Sequence, residues 1–280
     1  MRAIVSTAQL DQHRAAAGPS VVVPTMGALH AGHESLLRVA AGYARAHGLG
    51  DVLVTVFVNP SQFNESKDFD DYPRTLDDDL AKCEAWGATS VFAPPVSEVY
   101  PPELDVPVGE LPPTAVGKGL EDEYRPGHFE GVVRVVRRLF EMCQPAAAVF
   151  GEKDWQQLCV VEQMSKREGL GVEIVPCPTA RDAGGLAESS RNQHLTPEDR
   201  AAALSLSHAL KAARSITDPD EAERTMREIM ASAGATPEYH AIRHADTLDL
   251  LASPGERPAR ALVAARVGST RLLDNMPWPA

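Results

Sequence analysis

The stretch VPTMGALHAGHESLL, Val23 to Leu37, closes a run of valines and leads into a segment of helical periodicity, Glu34 to His47. Val21 to Val23 read as a strand, Thr25-Met26-Gly27 as the turn at its carboxyl end, and the periodic segment as the helix that follows. Two histidines, His30 and His33, stand where that helix begins, although neither histidine nor glycine is a strong helix former. A helix N-terminus presents unpaired N–H groups and a positive dipole end, a site for anions and for phosphate above all. Gly27 lets backbone approach a ligand, positions 30 and 33 share a face of the first turn, and Gly32 between them leaves room. Two imidazoles on one face can donate to phosphate oxygens. A pair of ordinary surface histidines is the competing reading, and a zinc pair lacks a third ligand.

Outward from this stretch, short β-rich runs recur at Val52 to Val58, Ser90 to Ala93, Ala146 to Phe150 and Val172 to Val175. Helical segments at Thr75 to Trp86, Phe129 to Met142 and Trp155 to Glu168 alternate with them. Continuous apolar strands alternating with helices predict an α/β fold, a Rossmann-like doubly wound parallel sheet. Ligands then sit at the carboxyl ends of the strands. Seven prolines between Pro94 and Pro113 predict a long loop or short edge strands, either a wall over the site or a surface connection. The character changes after Pro176. Helices over Pro197 to Ile216 and Glu221 to Ala233, strands over Tyr239 to Arg243 and Ala261 to Arg266, and a last short strand in GSTRLLDN predict a smaller C-terminal α+β domain. The division is residues 1–176 and 177–280.

Bulk properties exclude several classes. A net charge of −12 argues against general nucleic-acid binding, which needs Lys and Arg to neutralise phosphates. Acids concentrate between Glu65 and Asp79, so a phosphate site must be shielded from them or bridged by metal. The apolar run Val52 to Val58 is too short to cross a bilayer, and MRAIVSTAQLDQH lacks the features of a secretory signal, which predicts a cytoplasmic protein. The cysteines Cys83, Cys143, Cys159 and Cys177 form no C-x-x-C pair and read as reduced, mostly buried thiols.

Other strand ends carry matching chemistry. Gly151-Glu152-Lys153-Asp154 leaves the strand ending at Phe150, where a ligand-facing loop belongs. Asn59, Gln62 and Gln157 are neutral amides that can bind hydroxyls and a carboxylate without adding like charge. Asp78 and Asp79 either help hold Mg²⁺ against phosphates or complement the dipole of the Thr75 helix. Ser189, Ser190 and Arg191 offer hydroxyls and a guanidinium to phosphate oxygens, and Thr196-Pro197-Glu198 reads as a helix start with Thr196 as N-cap.

PTMGALHAGH resembles the signature of the pantoate–β-alanine ligase family, the pantothenate synthetases, within the HxGH nucleotidyltransferase superfamily. VFVNPSQF (Val56 to Phe63), DYPRTLDDDL (Asp71 to Leu80), RPGHFEGV (Arg125 to Val132), GEKDWQQL (Gly151 to Leu158), ESSRNQHL (Glu188 to Leu195) and the C-terminal LVAARVGSTRLLDN carry the resemblance across nearly the whole chain. It implies a two-step reaction: ATP activates pantoate as an acyl adenylate with release of pyrophosphate, and the amine of β-alanine then displaces AMP. It further implies that His30, His33, Lys153 and Arg191 are catalytic, with His33 a proton donor and Lys153 and Arg191 on the phosphates. ATP would also meet Pro24, Thr25, Met26, Gly27 and Gly32 in the first stretch, Gly151 and Asp154 in the second, and Ala180, Glu188, Ser189 and Ser190 in the third. Pantoate and β-alanine would meet Asn59, Gln62 and Gln157, with Tyr72 and His128, and the family forms homodimers through the larger domain. Glu188, Gly184 and Ser61 depart from the family, which has Met or Leu, Asp and Met there: an acid at 188 would repel phosphate unless it points away, and Gly184 could loosen its loop. Another nucleotidyltransferase and an ATP-binding regulator are the rival readings.

Overall fold

A computed structural model of the chain describes residues 1–62, 72–252, 255 and 258–278. Phe63, Asp71 and the acids from Glu65 up to Asp71, on which part of the sequence reading rests, lie outside these residues. Six parallel strands form the larger sheet: β1 (Ala3–Ile4), β2 (Ser20–Thr25), β3 (Asp51–Val56), β4 (Ser90–Phe92), β5 (Ala147–Gly151) and β6 (Glu173–Cys177), in the order β1-β4-β3-β2-β5-β6. Alternation along each strand divides the apolar side chains between two faces. Val22, Leu53, Ala148 and Phe150 enter one core with α1 (Thr7–Ala17), α6 (His128–Cys143) and α7 (Trp155–Glu168). Val21, Val23, Val52, Val54, Ala147 and Val149 enter the other, under α2 (Ala31–His47) and α3 (Leu76–Trp86). Each such buried Val, Leu or Phe side chain stabilises the fold by about 1.5–3 kcal/mol relative to exposure.

The strand order reverses between β2 and β5, since β2 leads through α2 to β3 on one side and pairs with β5 on the other. The crevice at such a reversal is where doubly wound sheets bind ligands. Pro24 is tolerated in a central strand because β2 pairs with β5 only at Val21 and Val22, so its missing N–H leaves no gap in the ladder.

The proline-rich stretch holds only a short helix, α4 (Val96–Val99), and a 3₁₀ turn at Pro113–Ala115, with no strand among its residues. It is strapped to α6 and α7: Arg137 donates to the carbonyls of Pro107 (3.1 Å) and Val108 (2.9 Å), Arg138 to that of Val99 (3.0 Å), and Thr114 to Gln163 (3.1 Å). Gly109 passes so close that a β-carbon there would lie 2.1 Å from the Arg137 guanidinium.

A second, three-stranded antiparallel sheet in the order β7-β8-β9 follows: β7 (Thr236–His244), β8 (Ala259–Val267) and β9 (Thr270–Pro277). One face packs on α8 (Pro197–Ala213) and α9 (Pro219–Ser232) through Ala261, Val263 and Ala265. The other face, Leu262, Ala264 and Leu273, meets Leu120, Cys159 and Trp155 of the larger unit. α5 (Glu121–Tyr124) lies at this seam. Glu121 is held there by Arg271 (2.7 and 2.8 Å) and the Tyr239 hydroxyl (2.9 Å). All four cysteines are buried free thiols, and burial pushes those of Cys143 and Cys159 up to about 12. Among the described residues no helix is long and apolar enough to cross a membrane.

Candidate active site

The question posed by two histidines at a helix start has a local answer. His30 is the N-cap of α2, and its Nδ1 accepts from the amide of Gly32 at 3.1 Å; His33 reaches back, its Nδ1 accepting from the amide of His30 at 3.2 Å. This is a reciprocal capping box built from imidazoles in place of the usual hydroxyl and carboxamide. An Nδ1 that accepts carries no proton, so each neutral ring holds its hydrogen on Nε2 as its remaining donor. Burial lowers His30 to about 4, helped by the charges of Lys153 and Lys82. Burial lowers His33 to about 3, helped by His30 and Lys82. Both rings are therefore neutral Nε2–H donors at pH 7, with centroids 4.2 Å apart.

The same geometry uses several of the amides that a helix start would offer to an anion. The amides of His30 and Gly32 are spent on imidazoles, and those of Ala28 (3.0 Å) and Leu29 (2.8 Å) on the carboxylate of Asp79. Gly27 and Ala28 both have left-handed φ, 81° and 51°, and a β-carbon at Gly27 would stand 3.0 Å from Asp79 Oδ2. The glycine is needed so that the turn can close on Asp79. Thr25 is drawn inward as well, donating to the Thr55 carbonyl at 2.7 Å. Gly32 spares its neighbour: a β-carbon would lie 2.8 Å from His30 Cε1 and 3.4 Å from the β-carbon of Glu188. Pro24 and Met26 are half-buried on either side of Thr25.

Asp79 is 1% exposed, with Oδ2 also accepting from Thr75 Oγ1 at 3.1 Å, whereas Asp78 is exposed in the first turn of α3. Asp78 thus suits the helix dipole and Asp79 clamps the turn. Among the described residues no trio of His, Cys, Asp or Glu is arranged to hold a metal. With Asp79 already occupied by backbone amides, the acidic pair does not by itself fit a magnesium ion.

Across the crevice, Gly151 ends β5 and the 3₁₀ turn Glu152–Asp154 carries Lys153, half-buried, 3.9 Å from the Asp154 carboxylate. Gln157, one turn into α7, lines a cleft between the two sheets with Lys153, Asp154, Arg125 and His128. Its neighbour Gln156 is structural, donating to Thr114 and Asp122 and accepting from the Glu121 amide at 2.8 Å. His128 Nε2 faces Arg125 at 2.9 Å, which puts its hydrogen on Nδ1, a buried donor without a partner among the described residues. Burial lowers His128 to about 3, with Arg125 and Arg191 acting in the same direction.

Asn59 turns out to be a scaffold residue. It is 1% exposed, donates to the Gly131 carbonyl at 3.2 Å, and accepts from the hydroxyls of Ser61 (2.9 Å) and Tyr100 (3.1 Å). It sets the turn carrying Gln62, which packs on Gly131, where a β-carbon would lie 2.4 Å from the Ser61 carbonyl. Ser61 uses its hydroxyl in this network. Burial raises the phenol of Tyr72, with Arg191 opposing and Asp79 reinforcing the shift.

In that last loop the Glu188 amide donates to the Ala180 carbonyl (2.9 Å), and Ser189 caps the turn Ser190–His194 by accepting from Arg191 N (3.3 Å). Arg191 is exposed. Gly184 does not loosen the approach, because Asp182 Oδ1 pins the amides of Gly184 and Leu186, both at 2.9 Å. Sequence reasoning missed Arg125, Lys82, Asp274 and Asn275. Arg125 opens a quoted block and was recognisable as a cation beside His128; Lys82, which donates to the Leu29 carbonyl at 2.8 Å, has no signal beyond its helix.

The family profile described as Pantoate-beta-alanine ligase matches residues 1–277. The pantothenate synthetase of Acidothermus cellulolyticus is 48% identical over 267 residues, covering 93% of this chain and 86% of that protein. That of Rubrobacter xylanophilus is 47% identical, covering 92% and 90%. The crystal structure of pantothenate synthetase from Thermus thermophilus superposes with a TM-score of 0.89 at 40% identity, covering 100% of both chains. A pantoate-beta-alanine ligase from Francisella tularensis, complexed with beta-gamma ATP and beta-alanine, matches with a TM-score of 0.78 at 30% identity, covering 99% of this chain and 97% of that one. Relatives of this identity, matched over almost their whole length by a chain with this sheet order and this histidine-capped turn, leave one conclusion: the chain belongs to the pantoate–β-alanine ligase family and is a ligase of that class.

Proposed function

We propose that the chain joins (R)-pantoate to β-alanine at the expense of ATP, giving pantothenate, AMP and pyrophosphate through a pantoyl adenylate, a step of vitamin B5 and coenzyme A synthesis. What supports this most is the meeting of two neutral imidazole donors with Lys153 and Lys82 at the reversal of strand order. A pantoate carboxylate oxygen attacks the α-phosphorus of ATP and the bond to pyrophosphate breaks. Charge grows on the phosphate oxygens, where the Nε2–H groups of His30 and His33, Lys153 and Arg191 supply preorganised donors. Both imidazoles are held at Nδ1 by a backbone amide, and by the family resemblance His33 takes the proton-donor role. The unprotonated amine of β-alanine then attacks the acyl carbon, AMP leaves, and the nitrogen gives up a proton as the amide forms.

Gln62 and Gln157 line the pantoate pocket, Gln62 also meets β-alanine, Tyr72 and His128 complete the substrate site, and Asn59 acts through Gln62. Magnesium would accompany the triphosphate as its counter-ion and would offset part of its charge, with Asp78 and Asp79 not by themselves holding it. A cytoplasmic homodimer joined through the larger unit, with residues 177–280 closing the cleft, completes the reading. Pyrophosphate release tests it. A stoichiometric burst from MgATP with pantoate alone, then turnover to pantothenate once β-alanine is added, is expected; bound ATP without pyrophosphate under either condition would return the site to the regulator or the other transferase.

A further inference from the structure

Asp274 and Asn275 are neighbours on β9, both buried, and each holds a different loop of the cleft. Asn275 Nδ2 donates to the carbonyls of Glu152 (2.9 Å) and Lys153 (2.8 Å), while its Oδ1 accepts from Arg260 Nε at 2.6 Å. Arg260 returns to the Glu152 carboxylate at 2.9 Å and lies over the Trp155 ring, 3.4 Å from its centroid. The turn bearing Lys153 is thus gripped from the small sheet. Asp274 takes Arg181 in a two-point pair at 2.6 and 2.8 Å, and Arg181 also donates to the Gly185 carbonyl at 3.0 Å. Arg181 bridges Ala187, and the Ala187 carbonyl accepts from Asn192 at 3.0 Å, next to Arg191. The two arms join, because Asp274 Oδ1 accepts from the amide of Asn275 at 2.7 Å.

Aspartate and asparagine are poor strand formers, and burying them is costly unless every polar atom is matched, so strand stability alone does not account for them. We propose that Asp274 and Asn275 are a positioning pair that sets the Lys153 turn and the Arg191 loop at a fixed spacing across the cleft before ATP binds. This rests on the reading of Lys153 and Arg191 as the phosphate-holding cations. Their role is indirect: neither side chain meets the reacting atoms, and the pair acts through the two loops.

Asn275→Asp gives the test, because it is isosteric and keeps the acceptor for Arg260 while aiming an oxygen at two carbonyls. The expected result is a fall in kcat/KM for ATP of about 10- to 100-fold in pyrophosphate release, since misplacement by an ångström costs that much. KM for β-alanine stays unchanged, and because two buried carbonyls lose their donor Tm falls by several degrees, so every rate is compared per folded enzyme. ATP protection of Arg191 from trypsin should also weaken, although Asn275 touches the other loop. Should this variant not fold, Asp274→Asn cuts the Arg181 arm and carries the same expectations. A kcat/KM for ATP within twofold of wild type, or a loss of kcat that follows the folded fraction with every KM unchanged, overturns the positioning role. An active wild type with an unaffected variant sinks that role alone; a wild type that releases no pyrophosphate sinks the underlying reading and the role with it.

Discussion

At the scale of single residues, His30 and His33 each do two jobs with two different nitrogens. Nδ1 caps the helix and Nε2 is left to meet a ligand, so the structural need for a cap fixes the tautomer that chemistry needs. Substitutions can separate the jobs. His33→Ala removes cap and donor together and should lower kcat by roughly 100- to 1000-fold. His30→Asn keeps a side-chain acceptor at the N-cap, so its urea midpoint should correspond to wild-type stability within about 0.5 kcal/mol while pyrophosphate release still falls. Protonation gives an independent check. Because folding lowers His30 to about 4 and His33 to about 3, the unfolded chain binds more protons than the folded one below its ordinary value of 6.5. The stability contributed by the neutral rings is complete above that value and declines as pH falls through the window. In NMR titrations neither ring should show a protonation shift between about pH 8 and 5.5; a midpoint near 6.5 for either would mean that its Nδ1 is not held by the backbone.

At the scale of elements, the turn after β2 shows what pattern reading catches and what it lets pass. Periodicity located β2, β3, α6 and α7 because their apolar side chains follow the period of the element, and Thr196 announced α8 as N-cap, with its capping box to Asp199 present. The strand β1 and the helix α1 were missed: β1 is two residues long, and Leu10 is the buried residue of α1, too little for a period to register. β9 was read as short because Asp274 and Asn275 interrupt its apolar run, and those are the residues that reach the cleft. What gathers at the crevice was legible after β5, where Lys153 and Gln157 line it, but not after β3, where Asn59 serves its own turn. It was illegible where a side chain arrives from a distant helix, as with Asp79, whose acidic neighbours suggested a metal or a dipole while its oxygens hold Ala28 and Leu29. Asp79→Ala would leave those amides unsatisfied beneath a turn with two left-handed residues, and a loss of about 3 kcal/mol in urea unfolding is expected. Wild-type stability would mean that water or the ligand replaces the carboxylate.

At the scale of the whole molecule, a chain of net charge −12 sets Arg125 and Lys153 in one cleft with Glu121, Asp154 and Asp274 on the same walls, while Lys82 acts on His30 and Arg191 on His128. Glu121 is the most deeply committed of those acids. Burial pushes its carboxyl up, yet Arg271 and Arg125 together outweigh burial and hold it below the usual range. Its contribution is therefore present above the unfolded value and lost as pH falls through the folded one, on the same acid side as the histidines. The pair also ties the small sheet to the larger unit, beside the apolar contact of Leu262 and Leu273 with Leu120 and Trp155. Trp155 sits at that seam, Trp86 ends α3, and Trp278 is buried under α8, donating to the Ala213 carbonyl, so tryptophan fluorescence reports on both units at once. A single urea transition is expected for the wild type. Arg271→Leu leaves Glu121 buried and charged without its main partner and should cost about 3–5 kcal/mol. Adding Glu121→Gln removes the stranded charge, so the double variant should recover a substantial part of that loss; equal instability of the single and double variants would show that Arg271 matters through packing on β9 and not through the charge it meets across the seam.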